Sequence, residues 1–207
     1  ETAGAGKIYH HYQNHPDSWD DFWPSKNLQF PPTHSPAKKN RPAFDKKPRS
    51  KNWYMAFNWG PIDKDVEETG DWMSMKFVSQ KMREKRDKPF FLACGIYRPH
   101  VPWFVPRKYF DMFPIDKIQL PPSKADDYSD IPKGASRNGP CDYYKVLDAN
   151  GYRQQAVQAY LASIAYADDL VGRLLENLDK SNQADNTIVV LWSDHGWHLG
   201  EKLTYRK

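Results

Sequence analysis

The sequence predicts an α/β fold in which a mostly parallel central sheet is sandwiched by helices. Two helical patterns, over residues 71–86 and 152–178, are each followed by a short apolar run of strand length, over residues 90–96 and 187–192. This order of helix, turn and buried strand is typical of parallel sheets, because parallel strands need a crossover connection. A length of 207 residues suits one domain.

The helices follow from apolar residues that recur at three- and four-residue steps and therefore share one face. In the first helix these residues are Trp72, Met75, Val78 and Met82. Asp71 is the candidate N-cap, and Pro89 ends the helix. The second helix carries a longer stripe: Ala156, Ala159, Tyr160, Ser163, Ile164, Ala167, Leu170, Val171, Leu174, Leu175 and Leu178.

The strands follow from uninterrupted apolar runs. Residues 90–96 read FFLACGI, and residues 187–192 read TIVVLW, which is apolar on both faces and β-branched, as central parallel strands are. A short strand is also expected near residues 6–9. The stretches at about 15–70 and 97–150 are rich in proline, which excludes long regular elements, and we expect them to be loop insertions.

Composition excludes several classes of protein. The net charge of +4 is small and both signs alternate along the chain, which argues against a nucleic-acid partner. A hydrophobic fraction of 39% excludes the disordered class, and no stretch approaches the roughly 18 apolar residues of a membrane span. The two cysteines, Cys94 and Cys141, supply neither a disulfide framework nor a thiolate zinc cluster, and we interpret both as structural.

Polar residues follow both apolar runs, at the sheet edge where parallel sheets bind ligands. Asp194 and His195 come directly after the second run, and a carboxylate beside an imidazole at a rigid strand end suits a divalent cation. On spacing alone the alternative stays open that Asp194 caps the next element and that His195 packs against Trp197.

Three further candidates lie near the first run and near the start of the chain. His100 lies in a proline-stiffened loop, and an imidazole with an ordinary pKa of about 6.5 can donate a proton to a leaving group. The alternative is that it stacks among aromatic neighbours. Lys7 and His10 share a site only if the chain bends near Tyr9, because residues i and i+3 of a straight strand face opposite sides; otherwise both are surface residues. Motifs for zinc proteases, serine hydrolases, phosphate-binding loops and C-x-x-C sites are missing, and no nucleophile is evident.

Three strings in this order, GKIYHH, PFFLACGIYRPHVPW and SDHGWHLGEKLTYRK, resemble the sulfatases of the alkaline phosphatase superfamily, in particular the iduronate 2-sulfatase branch. The resemblance covers most of the chain and is weakest at about 15–70 and 121–150. It implies that residues 1–207 are the central part of a sulfatase catalytic domain, with an incomplete form of the superfamily fold.

The resemblance also implies roles for the polar candidates. Asp194 and His195 would be two ligands of one active-site calcium ion. Lys7 and Lys207 would bind oxygens of the substrate sulfate, and for Lys207 the position relative to the SDHG string is the only signal.

The same resemblance implies roles for two histidines. His10 would hydrogen-bond the hydroxyl of a formylglycine nucleophile, and His100 would contact the sulfate and protonate the leaving oxygen. Sulfatases carry a C-x-P-x-R or S-x-P-x-R motif, whose Cys or Ser becomes formylglycine, and this sequence has neither. We therefore expect the chain to be an internal piece that needs the remainder of a sulfatase to complete its site, and to be inactive alone.

The implied function is hydrolysis of sulfate esters on a sulfated carbohydrate such as a glycosaminoglycan, in a secreted, periplasmic or lysosomal protein. Two alternatives remain. One is a phosphodiesterase or phosphonate hydrolase of the same superfamily, which usually needs further His and Asp ligands. The other is a non-catalytic domain that binds sulfated glycans through its aromatic loops.

Overall fold

A computed structural model describes residues 1–10, 15–26, 33–42, 57–132 and 140–207. Strands and helices alternate along these ranges, and short 3-10 helices connect several of them. In chain order the elements are β1 Thr2–Gly6, β2 Asp21–Trp23, β3 Trp59–Ile62, α1 Gly70–Met82, β4 Phe91–Gly95, β5 Trp103–Pro106, α2 Arg107–Asp111, α3 Asp142–Ala149 and α4 Arg153–Asp179.

Every strand pair in the described residues is parallel. The larger sheet has the order β2-β1-β4, and its β1–β4 register runs from Thr2 opposite Phe91 to Gly6 opposite Gly95. The smaller sheet pairs β3 with β5. Helix α1 packs against β1 and β4, and α4 packs against α1 and β5. The predicted α/β class with parallel strands and flanking helices is therefore confirmed, with a small sheet.

Both long helices lie close to their predicted positions. Helix α1 begins at Gly70, and the N-cap position belongs to Thr69 rather than to Asp71, so the N-cap prediction is wrong. Helix α4 fully buries Ala156, Ala159 and Ser163 of the predicted stripe and also Ala162 beside it, but Ile164 and Leu175 of the stripe are exposed. Within the described residues no helix is long and apolar enough to cross a bilayer.

An aromatic cluster forms the centre of the core. Trp103 of β5 is fully buried, and its ring lies 5.4 Å from that of Tyr160 on α4 and 5.8 Å from that of Trp197. Phe57 stacks on Tyr143 of α3 with 4.4 Å between ring centroids. The cluster joins β5, α3, α4 and the segment around Trp197 in one core, because aromatic pairs at such distances add to the stabilisation from area burial.

Two segments differ from the sequence-based expectation near the larger sheet. The first strand spans Thr2–Gly6 rather than residues 6–9, because the chain bends over residues 7–9. Both expected loop insertions also hold regular elements, since the described part of 15–70 contains β2 and β3 and that of 97–150 contains β5, α2 and α3. Prolines fit there because Pro106 ends β5 and because short helices tolerate proline before their first turn.

Residues 187–192 are the largest departure from the prediction. In the part of the chain that the structure describes, no strand pairs with them, and their apolar side chains face solvent, with Ile188 at 92% and Trp192 at 76% exposure. A central strand needs a hydrogen-bonded neighbour and a covered face. Neither is present here, so the prediction of a buried strand at 187–192 is wrong for this structure.

Candidate active site

Lys7 emerges at the carboxyl end of β1, where the backbones of β1 and β4 come very close. A Cβ on Gly95 would lie 2.2 Å from the Lys7 carbonyl oxygen, so only glycine fits at that position. Gly6 has φ of +75°, which glycine adopts at little cost. The Lys7 N–H donates to the Gly95 carbonyl at 2.8 Å. This crossing directs the chain away from the sheet and starts the bend over residues 7–9.

The loop after β4 is held by a buried carboxylate on α1. Asp71 is 6% exposed and accepts hydrogen bonds from the backbone N–H groups of Tyr97, at 2.8 Å, and Arg98, at 3.4 Å. Burial raises the pKa of Asp71, while the charge of Arg98 and the two hydrogen bonds oppose that rise. Sequence reasoning missed this role, because an acidic residue at a helix start also fits an N-cap.

His100 has a defined orientation in this loop. Its Nδ1 lies 2.6 Å from the Val101 carbonyl oxygen, which also accepts from the Tyr97 hydroxyl at 3.3 Å. A carbonyl can only accept, so Nδ1 carries the proton in the neutral imidazole and Nε2 keeps its lone pair. The His100 ring lies 4.9 Å from the Tyr97 ring. The two rings are inclined at 57°, so the contact with Tyr97 is tilted rather than stacked.

The electrostatics show which candidates lie near one another. The pKa of His100 is lowered to about 4, by burial first and then by the positive charges of Lys7, Lys207 and Arg98, against a hydrogen bond to Val101. Burial also lowers the pKa of Lys7; Lys207 and Arg98 act in the same direction, and Asp194 opposes them. Three cations from separate segments thus act on the imidazole of His100 and favour its neutral form.

Asp194 and His195 form a close pair on an exposed turn. The Asp194 Oδ2 lies 3.2 Å from the His195 Nε2, and Oδ1 accepts from the His195 backbone N–H at 3.0 Å. The pKa of Asp194 is lowered: partial burial opposes ionisation, but the charges of His195 and Lys7 and the hydrogen bond outweigh it. The next helical element spans Glu201–Leu203 with Gly200 before it, so Asp194 caps no helix.

A folded-back C-terminal segment carries Lys207 to the cluster. The His198 N–H donates to the Arg206 carbonyl at 2.8 Å, and the Gly200 N–H donates to the Thr204 carbonyl at 3.0 Å. Tyr205, one residue before Arg206, is fully buried in the aromatic core. Because Lys207 follows this anchored pair, its charge acts on both Lys7 and His100.

Among the six candidates, His10 is the one that the structure does not join to the others. It is exposed, and no hydrogen bond or ion pair in the described residues links its side chain to Lys7, His100 or Asp194. The bend that a shared role with Lys7 requires is present over residues 7–9.

The donor set at Asp194 and His195 fits one corner of a calcium site. Calcium takes six to eight oxygen ligands, and the exposed Asp194 carboxylate is a suitable one, whereas an imidazole is a less usual partner. Within the described residues no three His, Cys, Asp or Glu side chains group closely enough to hold a metal. Further donors would therefore have to come from other residues.

Both cysteines have structural surroundings. Burial raises the pKa of the Cys94 thiol to about 12, so the thiolate is disfavoured. The Cys141 Sγ accepts from the backbone N–H groups of Tyr144 and Tyr205, each at 3.3 Å, and joins α3 to the C-terminal segment.

Comparison with known proteins identifies the fold family. The family model described as Sulfatase matches residues 8–207. A sulfatase of Formosa agariphila is 37% identical over the whole chain, which spans 41% of that relative. Human iduronate 2-sulfatase is 29% identical over 97% of the chain and 38% of its own length, and an arylsulfatase of Clostridium perfringens is 29% identical over 75% of the chain and 32% of its own length.

The chain thus spans about two fifths of the length of the first of these relatives. The family match covers nearly all of the chain and includes five of the six candidate residues. The sixth, Lys7, lies one residue before the match begins. The parallel strands, the polar strand ends and this match lead to the same conclusion: the chain belongs to the sulfatase family.

Proposed function

We propose that this chain is part of a longer, full-length protein that hydrolyses sulfate esters, with a sulfated carbohydrate as its substrate and calcium as its cofactor. The observation that supports the proposal is that Lys7 and His100, from separate segments, both contact the Tyr97 ring, while the charge of Lys207 acts on both and the charge of Asp194 acts on Lys7. Positive groups held at strand ends are what a bound sulfate requires, because its oxygens carry negative charge in the ground state and in the transition state.

The two lysines would bind the sulfate oxygens. Burial lowers the pKa of Lys7, which means that its ammonium is incompletely solvated in the free site. An anion placed between Lys7 and Lys207 would replace the missing solvation and relieve their mutual repulsion. Sulfate binding and the charged state of Lys7 therefore stabilise each other.

His100 would serve the leaving oxygen after sulfate binds. In the free site its pKa of about 4 leaves it neutral at neutral pH. A bound anion offsets the positive field of the lysines and raises the pKa of His100, so that Nε2 gains the proton that it later donates. The hydrogen bond to the Val101 carbonyl occupies Nδ1 and leaves Nε2 as the nitrogen that would serve the leaving oxygen.

Asp194 and His195 would hold the calcium ion, which when bound supplies Lewis-acid stabilisation of a sulfate oxygen and of the nucleophile. His10 would hydrogen-bond the hydroxyl of the formylglycine nucleophile, for which this sequence contains no precursor motif. We therefore propose that residues 1–207 alone do not turn over sulfate esters. Because the chain belongs to the sulfatase family, we also propose a secreted, periplasmic or lysosomal location.

The test is hydrolysis of p-nitrophenyl sulfate by the full-length protein, with calcium and after its removal by a chelator. The proposal expects activity that calcium restores. Turnover of bis-p-nitrophenyl phosphate without sulfatase activity would instead favour the phosphodiesterase alternative. Binding of a sulfated glycan without any turnover would favour the non-catalytic alternative.

A second comparison tests the role of His100. Substitution His100→Ala should reduce kcat more for a sulfated sugar than for p-nitrophenyl sulfate, because the poor leaving group needs a proton. Glu176→Ala is the control, since Glu176 is an exposed residue of α4 that pairs with Lys180. Equal losses on both substrates would exclude the acid role.

A further inference from the structure

Tyr97 contacts two of the groups that would meet the sulfate ester, Lys7 and His100. The Lys7 ammonium lies 5.2 Å from the centroid of the Tyr97 ring, and the His100 ring centroid lies 4.9 Å from it. The Arg98 guanidinium is a third cationic group over the same ring, at 5.0 Å. These distances are those of cation–π and aromatic contacts.

Hydrogen bonds hold Tyr97 at its backbone and at its hydroxyl. Its backbone N–H donates to the buried Asp71 carboxylate at 2.8 Å, and its hydroxyl donates to the Val101 carbonyl at 3.3 Å. The same Val101 oxygen accepts from the His100 Nδ1. The ring therefore has a fixed place relative to α1 and β4, and the side chains that contact the ring are positioned by it.

We propose that Tyr97 is a positioning residue that sets the spacing between the Lys7 ammonium and the His100 imidazole, so that the two can contact one sulfate group. This inference rests on the proposed sulfatase function. Tyr97 itself touches no reacting atom: its ring limits the rotamers of the flexible lysine and packs against one side of the imidazole.

The proposal implies that the ring matters and that the hydroxyl matters much less. A lysine side chain has four rotatable bonds, so loss of its aromatic support releases it from the site. For a cation–π contact at a half-exposed site, we expect about three- to tenfold weaker sulfate binding when the ring is removed. Loss of the hydroxyl alone leaves the ring contacts and one hydrogen bond to the Val101 oxygen in place.

The experiment compares Tyr97→Leu with Tyr97→Phe in the full-length protein with calcium present. The readouts are the Kd for inorganic sulfate by calorimetry, kcat and KM for p-nitrophenyl sulfate, and the pKa of His100 by NMR. We expect Tyr97→Leu to raise Kd and KM about three- to tenfold and to raise the pKa of His100 toward its ordinary value, since the imidazole becomes better solvated. Tyr97→Phe should keep Kd and KM within about twofold.

Tyr160→Leu is the matched control, because Tyr160 packs against Trp103 in the core, 5.4 Å away. It should lower stability without changing sulfate binding or the pKa of His100. If Tyr97→Leu fails to fold, Tyr97→Met takes its place. The proposal is overturned if the ring-deleted variant binds sulfate as the wild type does, if Tyr97→Phe loses as much affinity, or if the control shows the same losses.

Failure of the proposed function gives a different result. A wild-type protein that neither binds sulfate nor hydrolyses sulfate esters would contradict the sulfatase assignment. The pKa of His100 in Tyr97→Leu would still report whether the ring packs on the imidazole.

Discussion

Replacement of Lys7 by methionine tests the electrostatics of the site with a change that keeps most of the side-chain volume. Its ammonium lies 5.2 Å from the Tyr97 ring centroid, which lies 4.9 Å from the His100 ring. The ammonium and the imidazole are therefore no more than about 10 Å apart. Lys7 is the largest charge effect on the pKa of His100, second only to burial.

Coulomb's law gives the size of the effect. At about 10 Å, one unit charge acts on another with roughly 0.4 kcal/mol in water and roughly 1.7 kcal/mol at an effective dielectric constant of 20. Because 10 Å is the largest separation that the two distances allow, removal of the Lys7 charge should raise the pKa of His100 by at least about 0.3 with the dielectric constant of water and by at least about 1.2 with a value of 20. The pKa should stay below 6.5, because burial, the largest cause of its depression, is unchanged.

The assay is an NMR titration of the His100 ring signals from pH 3 to 8, assigned with His100→Gln. Lys26→Met, at an exposed lysine, is the control and should leave the titration unchanged. An unchanged pKa in Lys7→Met would show that the two groups do not share a site. A rise to 6.5 would show that charge rather than burial governs this imidazole.

Three further results follow from the structure. Asp71→Ala leaves the Tyr97 and Arg98 N–H groups without their acceptor, so denaturant unfolding should show a free energy of unfolding lower by about 2 to 6 kcal/mol, and Asp71→Asn should lose less. A loss below about 1 kcal/mol in Asp71→Ala would contradict the buried contact. Asp194→Ala should weaken calcium binding at least tenfold by calorimetry, while Asp185→Ala should not; equal affinities would exclude Asp194 as a ligand. A chain of residues 1–207 should bind a hydrophobic dye at its exposed apolar run, and Leu191→Lys should reduce the dye fluorescence; an unchanged signal would place the dye elsewhere.

Periodicity and strand runs were sufficient to predict the class of the fold. The positions of α1, α4 and β4 were predicted to within a few residues, because the apolar spacing of a helix and the length of a buried strand are local properties. Residues 187–192 show the limit of such reasoning. Their pattern encodes burial on two faces, but pairing depends on a neighbouring segment, which a local pattern does not specify.

In the candidate site, too, local sequence patterns predicted some residues and missed those whose roles depend on distant contacts. Residue type and motif order singled out Lys7, His100 and Asp194, whereas Asp71 and Tyr97 were passed over. Their roles depend on contacts across 26 residues of sequence, between the start of a helix and the exit of a strand. A carboxylate at a helix start has a sufficient local explanation, so only the three-dimensional structure shows that it holds the loop of His100.

Affinity for inorganic sulfate tests the convergence of cations most directly. Calorimetry would compare the full-length wild type with Lys207→Met and with Lys180→Met, a control at an exposed lysine paired with Glu176. Loss of affinity by at least tenfold in Lys207→Met alone is the expected outcome. Equal binding of sulfate by all three proteins would show that Lys207 and the cationic groups near His100 do not form one anion site.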